Sequence, residues 1–349
     1  MHVKIIDQTN GKLLLFLPAL SALQATDVTI SFESKQQILL GEWKRFSDKI
    51  VLAEKGQRED VRILLTDTSA VGVKVPEIPT IIYPLWPQTE SASWSTTKER
   101  NPFRVPLGSL KLMEHRLGDV PSLLDALFFF QSEHPLQGRR FLITAGPTAE
   151  DLDPVRYLTN RSSGKMGVAL ARAAFVLGAD VLLVMGPGSA SFPAYLSPVR
   201  VRSASEMAHA VLENFDDCHV YIGAAAVADF TPAETSTEKI KKKEGLMYLP
   251  LKRTVDILEM LGRKRQQQIL VGFSVETENV LENSLQKLRR KNLDLIIVNN
   301  PKEKGAAFET ETNKVTVVEK NGRRHEWPLM SKFELSLKIM HLLAEDFLK

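Results

Sequence analysis

Between Arg139 and Val298, short apolar runs alternate with amphipathic stretches, and this alternation restricts the fold more than any other feature of the chain. Phe141–Thr144, Val181–Met185, Val199–Val201, Val220–Gly223, Ile269–Phe273 and Leu293–Val298 read as strands. Between them, Gly164–Leu177, Ser205–Phe215, Val255–Arg265 and Asn279–Arg290 carry helical spacing. The strands are nearly continuous in apolar residues, so both of their faces must be covered. That pattern belongs to a parallel sheet with helices on either side. The expected fold is α/β, a doubly wound, Rossmann-like, mostly parallel sheet, with a ligand site beyond the carboxyl ends of the strands. The tail adds a hairpin, Lys314–Glu319 and Arg324–Trp327 around Asn321-Gly322, and a helix from about Ser331.

With 349 residues the chain has room for two domains. Residues 1–90 read as a smaller β-rich domain. Its short strands are His2–Ile6, Lys12–Leu17, Asp27–Phe32, Gln37–Leu40, Val61–Leu65 and Thr80–Tyr83, and their spacing suggests an antiparallel sandwich or barrel. Residues 91–137 form a polar linker and a helix, Val120–Ser132, whose Phe128-Phe129-Phe130 run is expected to pack on the next domain. The α/β domain occupies 138–349.

The net charge of +3 conceals a near-neutral first part and a basic second part that holds most of the 19 glycines. That total is too small to argue for nucleic acid. The single cysteine, Cys218, excludes an intrachain disulfide and any cysteine-rich metal site. The chain has no apolar run of about 18 residues and no basic, then apolar, leader, so no membrane segment is expected and the cytoplasm is the expected location.

The chemistry should sit where the first α/β strand ends. After Thr144 the chain makes a long excursion before the helix begins in Asn160-Arg161-Ser162-Ser163-Gly164-Lys165-Met166-Gly167. Doubly wound folds usually close this turn in a few residues. Ser162 or Ser163 can cap the helix, while Gly164 and Gly167 permit close approach of a ligand or of neighbouring backbone. The helix N-terminus suits phosphate, the alternative being an ordinary capped helix. Two nucleotide motifs are excluded. A P-loop would need glycine at Thr159 and Ser or Thr at Met166, and no G-x-G-x-x-G follows the strand.

Gly223-Ala224-Ala225-Ala226-Val227-Ala228-Asp229 ends a central strand with small residues that a flat ring or ribose can rest on. Asp229 is a candidate for a phosphate-held metal or a hydroxyl, or it simply caps a helix. The run Lys239-Ile240-Lys241-Lys242-Lys243 is either a flap over an anionic substrate or a solvated charge run. Lys287 and Lys291, four apart, share a helix face that is either functional or solvated. There is no histidine pair at metal-ligand spacing and no serine or cysteine nucleophile motif. Backbone amides and lysines suit phosphoryl or nucleotidyl chemistry.

Taken together, Ala145-Gly146-Pro147-Thr148, Asp153-Pro154-Val155-Arg156-Tyr157, the Asn160–Gly167 run, Ala225–Phe230, Lys239–Lys242, Val271-Gly272-Phe273 with Glu276-Thr277, and Lys287 through Lys291–Leu295 resemble the signature of phosphopantothenate–cysteine ligase (phosphopantothenoylcysteine synthetase) over about residues 138–349. The resemblance implies a coenzyme A biosynthesis enzyme that joins 4′-phosphopantothenate to L-cysteine through an acyl-nucleotidylate. Its cofactor would be Mg²⁺ and its co-substrate CTP, with ATP as the other candidate.

By position, the resemblance assigns Asn160 to the acyl intermediate, with Arg156 and Ala226 nearby, and makes Lys239 the flap lysine. It assigns Ser162, Ser163, Gly164, Gly223, Ala224, Ala225, Asp229, Lys239, Val255, Asp256, Ile257, Leu258, Phe273, Lys287 and Lys291 to the nucleotide, and Asp229 to the metal. It also implies a homodimer. Two departures stand out. Thr254-Val255-Asp256-Ile257 replaces the family's usual Asn-Pro-Asp-Ile, which bears on loop rigidity. Residues 1–137 lack the cysteine of the flavin-dependent decarboxylase that often accompanies this ligase, so no decarboxylase activity is expected and a separate protein would supply it. The alternative reading is a non-catalytic nucleotide-binding sensor on a degenerate ligase domain.

Overall fold

The computed structural model describes the backbone of five strands within residues 1–84, then Asp125, Phe129 and residues 132–193, 195–241, 244–275, 280–299 and 310–348. The chain divides into two compact units. One comprises Met1–Asn101, Val105–His134 and Phe192–Leu196; the other comprises Pro102–Arg104, Pro135–Ser191 and Ser197–Lys349.

In the first unit, β1 (His2–Asp7), β2 (Thr29–Ser34), β3 (Ile50–Leu52), β4 (Val61–Thr66) and β5 (Thr80–Pro84) form one sheet in the order β3-β2-β1-β4-β5. Every pairing is parallel. The expected antiparallel sandwich or barrel is therefore corrected. Antiparallel neighbours can be joined by a tight hairpin, whereas parallel neighbours need a crossover of about a dozen residues or more. The interval from Asp7 to Thr29 is long enough for one. The expected strands Lys12–Leu17 and Gln37–Leu40 lie outside the described residues, as does most of the Val120–Ser132 helix. Of that helix, Asp125 and Phe129 are helical and buried. Tyr195 Oη donates to Asp125 Oδ2 at 2.7 Å, and Phe129 stacks on His134 with ring centroids 4.0 Å apart.

The second unit holds, in chain order, β6 (Arg140–Ala145), β7 (Ala149–Asp151), β8 (Tyr157–Thr159), α1 (Lys165–Val176), β9 (Asp180–Met185), β10 (Val199–Arg200), α2 (Ala204–Phe215) and β11 (Val220–Gly223). It continues with β12 (Phe230–Pro232), β13 (Leu251–Arg253), α3 (Ile257–Lys264), β14 (Ile269–Val275), α4 (Val280–Arg290), β15 (Leu295–Asn299), β16 (Thr312–Glu319), β17 (Arg324–Ser331) and α5 (Lys332–Asp346). Eight strands form one sheet, β10-β9-β6-β11-β14-β15-β16-β17. The neighbours from β10 to β15 are parallel, and β16 and β17 add antiparallel. The parallel strands thus follow the 3-2-1-4-5-6 order of a doubly wound fold, as expected from the sequence.

The covered faces explain the apolar runs. Leu142, Leu182, Tyr221, Leu270 and Ile296 turn to one core, which α2, α3 and α4 close with Met207, Phe215, Leu261 and Leu288. On the other face, α1 packs against β6 and β9, and α5 packs against α1. Both faces of the central strands are dry, which is why polar residues do not alternate along them.

Caps set the helix starts. Ser203 accepts from Glu206 N–H at 3.1 Å to begin α2, and Ser331 does the same for Glu334 N–H to begin α5. Helix α1 differs from the expectation. Its N-cap is Gly164 at φ +87°, without a side-chain cap, and the Ser163 hydroxyl accepts from Lys165 N–H at 3.4 Å. A Cβ at Gly164 would lie 3.2 Å from Gly146 Cα and N, so the left-handed turn and the close approach both demand glycine. Gly167 serves packing in the same way. A Cβ there would meet Ala145 Cβ at 2.4 Å and the Thr144 carbonyl oxygen at 2.9 Å. The close approach of β6 therefore requires its small size. Gly167→Ala is expected to destabilise by about 1–3 kcal/mol through overpacking, although alanine is the better helix former by about 1 kcal/mol. A fall in thermal midpoint checks this; a rise would show that β6 gives way.

Candidate functional site

Strands β6 and β11 lie side by side at the centre of the sheet, and the chain leaves them towards opposite faces. α1, which follows β6, covers one face, and α3, which follows β11, covers the other. Beyond their carboxyl ends the two strands stay joined. Pro147 and Ala226 make a further parallel bridge, Ala226 N–H donates to the Gly146 carbonyl at 2.9 Å, and Ala228 N–H donates to Thr148 Oγ1 at 3.0 Å. The result is a rigid shelf of small residues, Ala224–Ala228, above the sheet. A cavity of about 810 Å³ opens over it. A crevice at this switch point is the general ligand position in such sheets.

All of the residues assigned from the sequence line this cavity except Arg156 and Lys239. Asn160 follows β8 and is held by its amide: Nδ2 donates to the Val227 carbonyl at 3.0 Å and to the Ala226 carbonyl at 3.3 Å. Because both partners are carbonyls, the side chain offers its Oδ1 to a ligand. Ser162, Ser163 and Gly164 form the wall at the start of α1. Gly223, Ala224, Ala225 and Ala226 form the shelf, with Asp229 exposed at its end. Phe273 on β14 lines the cavity as well.

The loop before α3 closes one side. Thr254 N–H donates to the Asp229 carbonyl at 3.0 Å, and the Thr254 hydroxyl donates to the Ala228 carbonyl. Two hydrogen bonds therefore hold the loop in which valine stands for the family's proline. Asp256 caps α3 by accepting from Glu259 N–H at 3.1 Å, and it pairs with Lys291 Nζ at 2.9 Å. Ile257 is buried in the core, so it borders the cavity from beneath. Lys287 and Lys291 are half-buried against the cavity; Arg290 lines it too but is exposed, and Arg289 is exposed and does not line it. Burial alone would raise the Asp256 carboxyl. The Lys291 ion pair, the Glu259 N–H and the nearby Arg290 outweigh it and hold the group below its usual range.

Residues 136–347 match the family model described as the DNA/pantothenate metabolism flavoprotein C-terminal domain. The chain belongs to this family. It is 47% identical over 227 residues to the Coenzyme A biosynthesis bifunctional protein CoaBC of Bacillus subtilis (strain 168), a match covering 65% of this chain and 56% of that protein. A protein named Cysteine/Cysteine sulfinic acid decarboxylase, from an unknown prokaryotic organism, is 46% identical over 211 residues, 60% of this chain and 59% of that one. The chain thus spans a little over half the length of these curated relatives. A crystal structure of the C-terminal domain of Coenzyme A biosynthesis bifunctional protein CoaBC resembles it with a TM-score of 0.53 at 41% identity, covering 61% of this chain and 97% of that one.

Several residues of this family domain escaped the sequence reading. Lys332, at the start of α5, is buried and lines the cavity together with Lys165, Asn299 and Asn313. Its Nζ donates to the Thr310 carbonyl, while Lys165 pairs with Glu311. Burial first, then the nearby Lys165, lowers the Lys332 amine, with Glu311 partly offsetting this. Nothing in the local sequence around Lys332 signals this role, because the tail packs α5 beside α1 only in three dimensions. Asp153 belongs to the Asp153–Tyr157 motif, whose sequence alone suggests no role for it. Arg156 and Lys239 stand outside the cavity. Arg156 is paired with Asp153 and Lys239 is exposed.

The Asp256 shift has a signed consequence. Its folded pKa lies below the unfolded value of about 3.9, so its contribution is present above that value and is lost as pH falls through the folded one. Asn caps helices as well as Asp does. Asp256→Asn is therefore expected to keep α3 while making stability less sensitive to pH below about 4. Denaturant titrations at pH 3 to 6 check this, and parallel acid limbs for the two proteins would contradict it.

Proposed function

We propose that the family domain joins 4′-phosphopantothenate to L-cysteine in coenzyme A biosynthesis, activating the acid as an acyl-cytidylate. The observation that carries this reading is the cavity at the switch point, which all but two of the expected residues line in a member of this family. The pantothenate carboxylate oxygen attacks the α-phosphorus of CTP and pyrophosphate leaves. The cysteine amine then attacks the acyl carbon, CMP leaves, and the amine loses a proton. Activation is needed because a free carboxylate has no adequate leaving group.

The Ala224–Ala228 shelf suits a flat base and ribose, and Lys287 and Lys291 suit the triphosphate. Lys291 would exchange its Asp256 partner for phosphate. ATP is the competing nucleotide, and the Thr254–Leu258 loop is the element placed to discriminate. Asn160 Oδ1 suits an N–H or O–H of the acyl intermediate, with Ala226 beside it. Arg156, paired with Asp153 outside the cavity, would steady the segment that carries Lys239, and Lys239 would neutralise charge on the activated acyl phosphate.

Asp229 is the one carboxylate lining the cavity without an ion pair among the described residues, since Asp256 and Glu259 both face cations. No group of three or more metal-ligating side chains occurs among those residues. A single carboxylate fits Mg²⁺ that takes its other oxygens from phosphates and water. When bound there, the metal would neutralise the departing pyrophosphate.

Cys218 is buried in the sheet core, and burial pushes its thiol up to about 12. It is therefore no candidate for a decarboxylase nucleophile. Val155, Tyr157, Phe230, Leu246, Met247, Tyr248 and Leu251 are exposed on and beside the β7–β8 and β12–β13 ribbons. A second copy would cover these apolar side chains, in keeping with a homodimer. No helix among the described residues is long and apolar enough to cross a membrane.

The test mixes protein, 4′-phosphopantothenate, cysteine, Mg²⁺ and CTP, and follows CMP and pyrophosphate. Absence of product with both CTP and ATP, alongside tight CTP binding, would favour a nucleotide sensor instead. That second reading draws on Arg156 and Lys239 lying outside the cavity, because a sensor needs only the nucleotide end. Asn160→Asp places a carboxylate against two backbone carbonyls. Pyrophosphate release is expected to survive better than amide formation in this variant, the latter falling about a hundredfold. Equal loss of both steps would remove Asn160 from the acyl site.

A further inference from the structure

The segment that carries Lys239 is docked along one ribbon of the family domain. Thr235 Oγ1 donates to the Asp151 carbonyl at 3.1 Å, and Ser236 N–H donates to the Leu152 carbonyl at 2.9 Å. Ile240 is gripped on both sides of its α-carbon. Its N–H donates to Asp153 Oδ2 at 3.1 Å, and its carbonyl accepts from Arg156 Nη2 at 2.8 Å.

Asp153 is only 2% exposed. Its Oδ1 accepts from the N–H groups of Val155 and Arg156, both at 2.8 Å, which forms the turn between β7 and β8. Its Oδ2 accepts from Arg156 Nε at 3.0 Å and Nη2 at 2.5 Å. A residue that only shaped the turn would need Oδ1 alone. Oδ2 and the guanidinium instead present one acceptor and one donor outward, matched to one N–H and one carbonyl of the flap. This grip reads backbone, so it fixes Ile240 whatever its side chain, and it sets the point from which the neighbouring Lys239 extends. Buried, charge-assisted hydrogen bonds are the strong ones, and each loses most when one partner is replaced.

We infer that Asp153 is a positioning residue for the ligation reaction: with Arg156 it holds the Ile240 peptide groups and so fixes where Lys239 can act. The role rests on the proposed function of Lys239, but the docking itself can be read without turnover.

The experiment uses the full chain with Asp153→Asn, Ile240→Pro, Lys239→Ala and the Asp153→Asn/Lys239→Ala double variant. Asn keeps one acceptor for the turn but turns an NH₂ towards Arg156 and the Ile240 N–H. Ile240→Pro leaves the turn intact and removes the flap donor, while also fixing φ at 240 and restricting Lys239, so it reports on docking through the cleavage rate if Asp153→Asn fails to fold. Because trypsin does not cut before proline, cleavage after Lys241 is expected to quicken in both Asp153→Asn and Ile240→Pro, and cleavage after Lys239 in Asp153→Asn. In Asp153→Asn, kcat falls roughly tenfold or more and the CTP KM stays within about twofold. Adding Asp153→Asn to Lys239→Ala is expected to cost little further kcat, because the two act through one group. Unchanged cleavage in both docking variants would overturn the inference, as would an unchanged or raised kcat, or losses that multiply in the double variant. If the unaltered protein shows no ligase turnover, the proposed function fails while the cleavage rates still judge the docking.

Discussion

The parallel pairing of β6 with β11 is the constraint on which the family domain depends. The two strands sit at the centre of the sheet, buried on both faces, and their chains depart to opposite sides. That divergence leaves a crevice no side chain has to create. The Pro147–Ala226 bridge carries the pairing past the last regular hydrogen bonds. It makes the crevice floor from backbone rather than from mobile side chains. Small residues at 223–228 follow from this, because larger ones would fill the space that the topology leaves open.

Three of the cavity's lysines are held in advance by carboxylates and carbonyls of the protein. Lys291 lies on Asp256, Lys165 on Glu311, and Lys332 on the Thr310 carbonyl. A cavity lined by this many cations would otherwise gather uncompensated positive charge, which destabilises the folded state. These partners sit at loop and helix ends, where they can yield to a phosphate. Asp153 belongs to a different class. Its carboxylate is enclosed by donors, which hold it far below the usual carboxylate range, the Arg156 guanidinium contributing most. Such a group stays ionised through any ordinary pH and acts as a fixed anchor rather than an exchangeable counter-ion.

Much of the domain was legible because its signals are periodic or steric. Continuous apolar runs in β6, β9, β11, β14 and β15 announced strands covered on both faces, and Asn321-Gly322 announced the β16–β17 hairpin. The start of α1 was read less well. Ser162 and Ser163 look like caps, yet the close approach of Gly146 makes Gly164 the turning residue. In the first unit, short apolar strands of similar length carry no mark of direction, and an antiparallel reading was as natural as the parallel sheet that β1–β5 form. Direction is decided by crossovers, which are properties of the intervals between strands.

The amino-acid sequence by itself determined the doubly wound architecture, the location of the site after β6 and β11, and most of the residues around it. Local periodicity, small residues at strand ends and long shared motifs are all one-dimensional records. Only the tertiary structure decided that Arg156 serves Asp153 and the flap and does not line the cavity. It alone brought Lys332 from the tail beside Lys165, and gave Asp153 a partner 87 residues away at Ile240. Those contacts join segments far apart in the chain through backbone groups and charge. Such groups are present in every residue or in many, so their pairing is decided by distance in the folded chain.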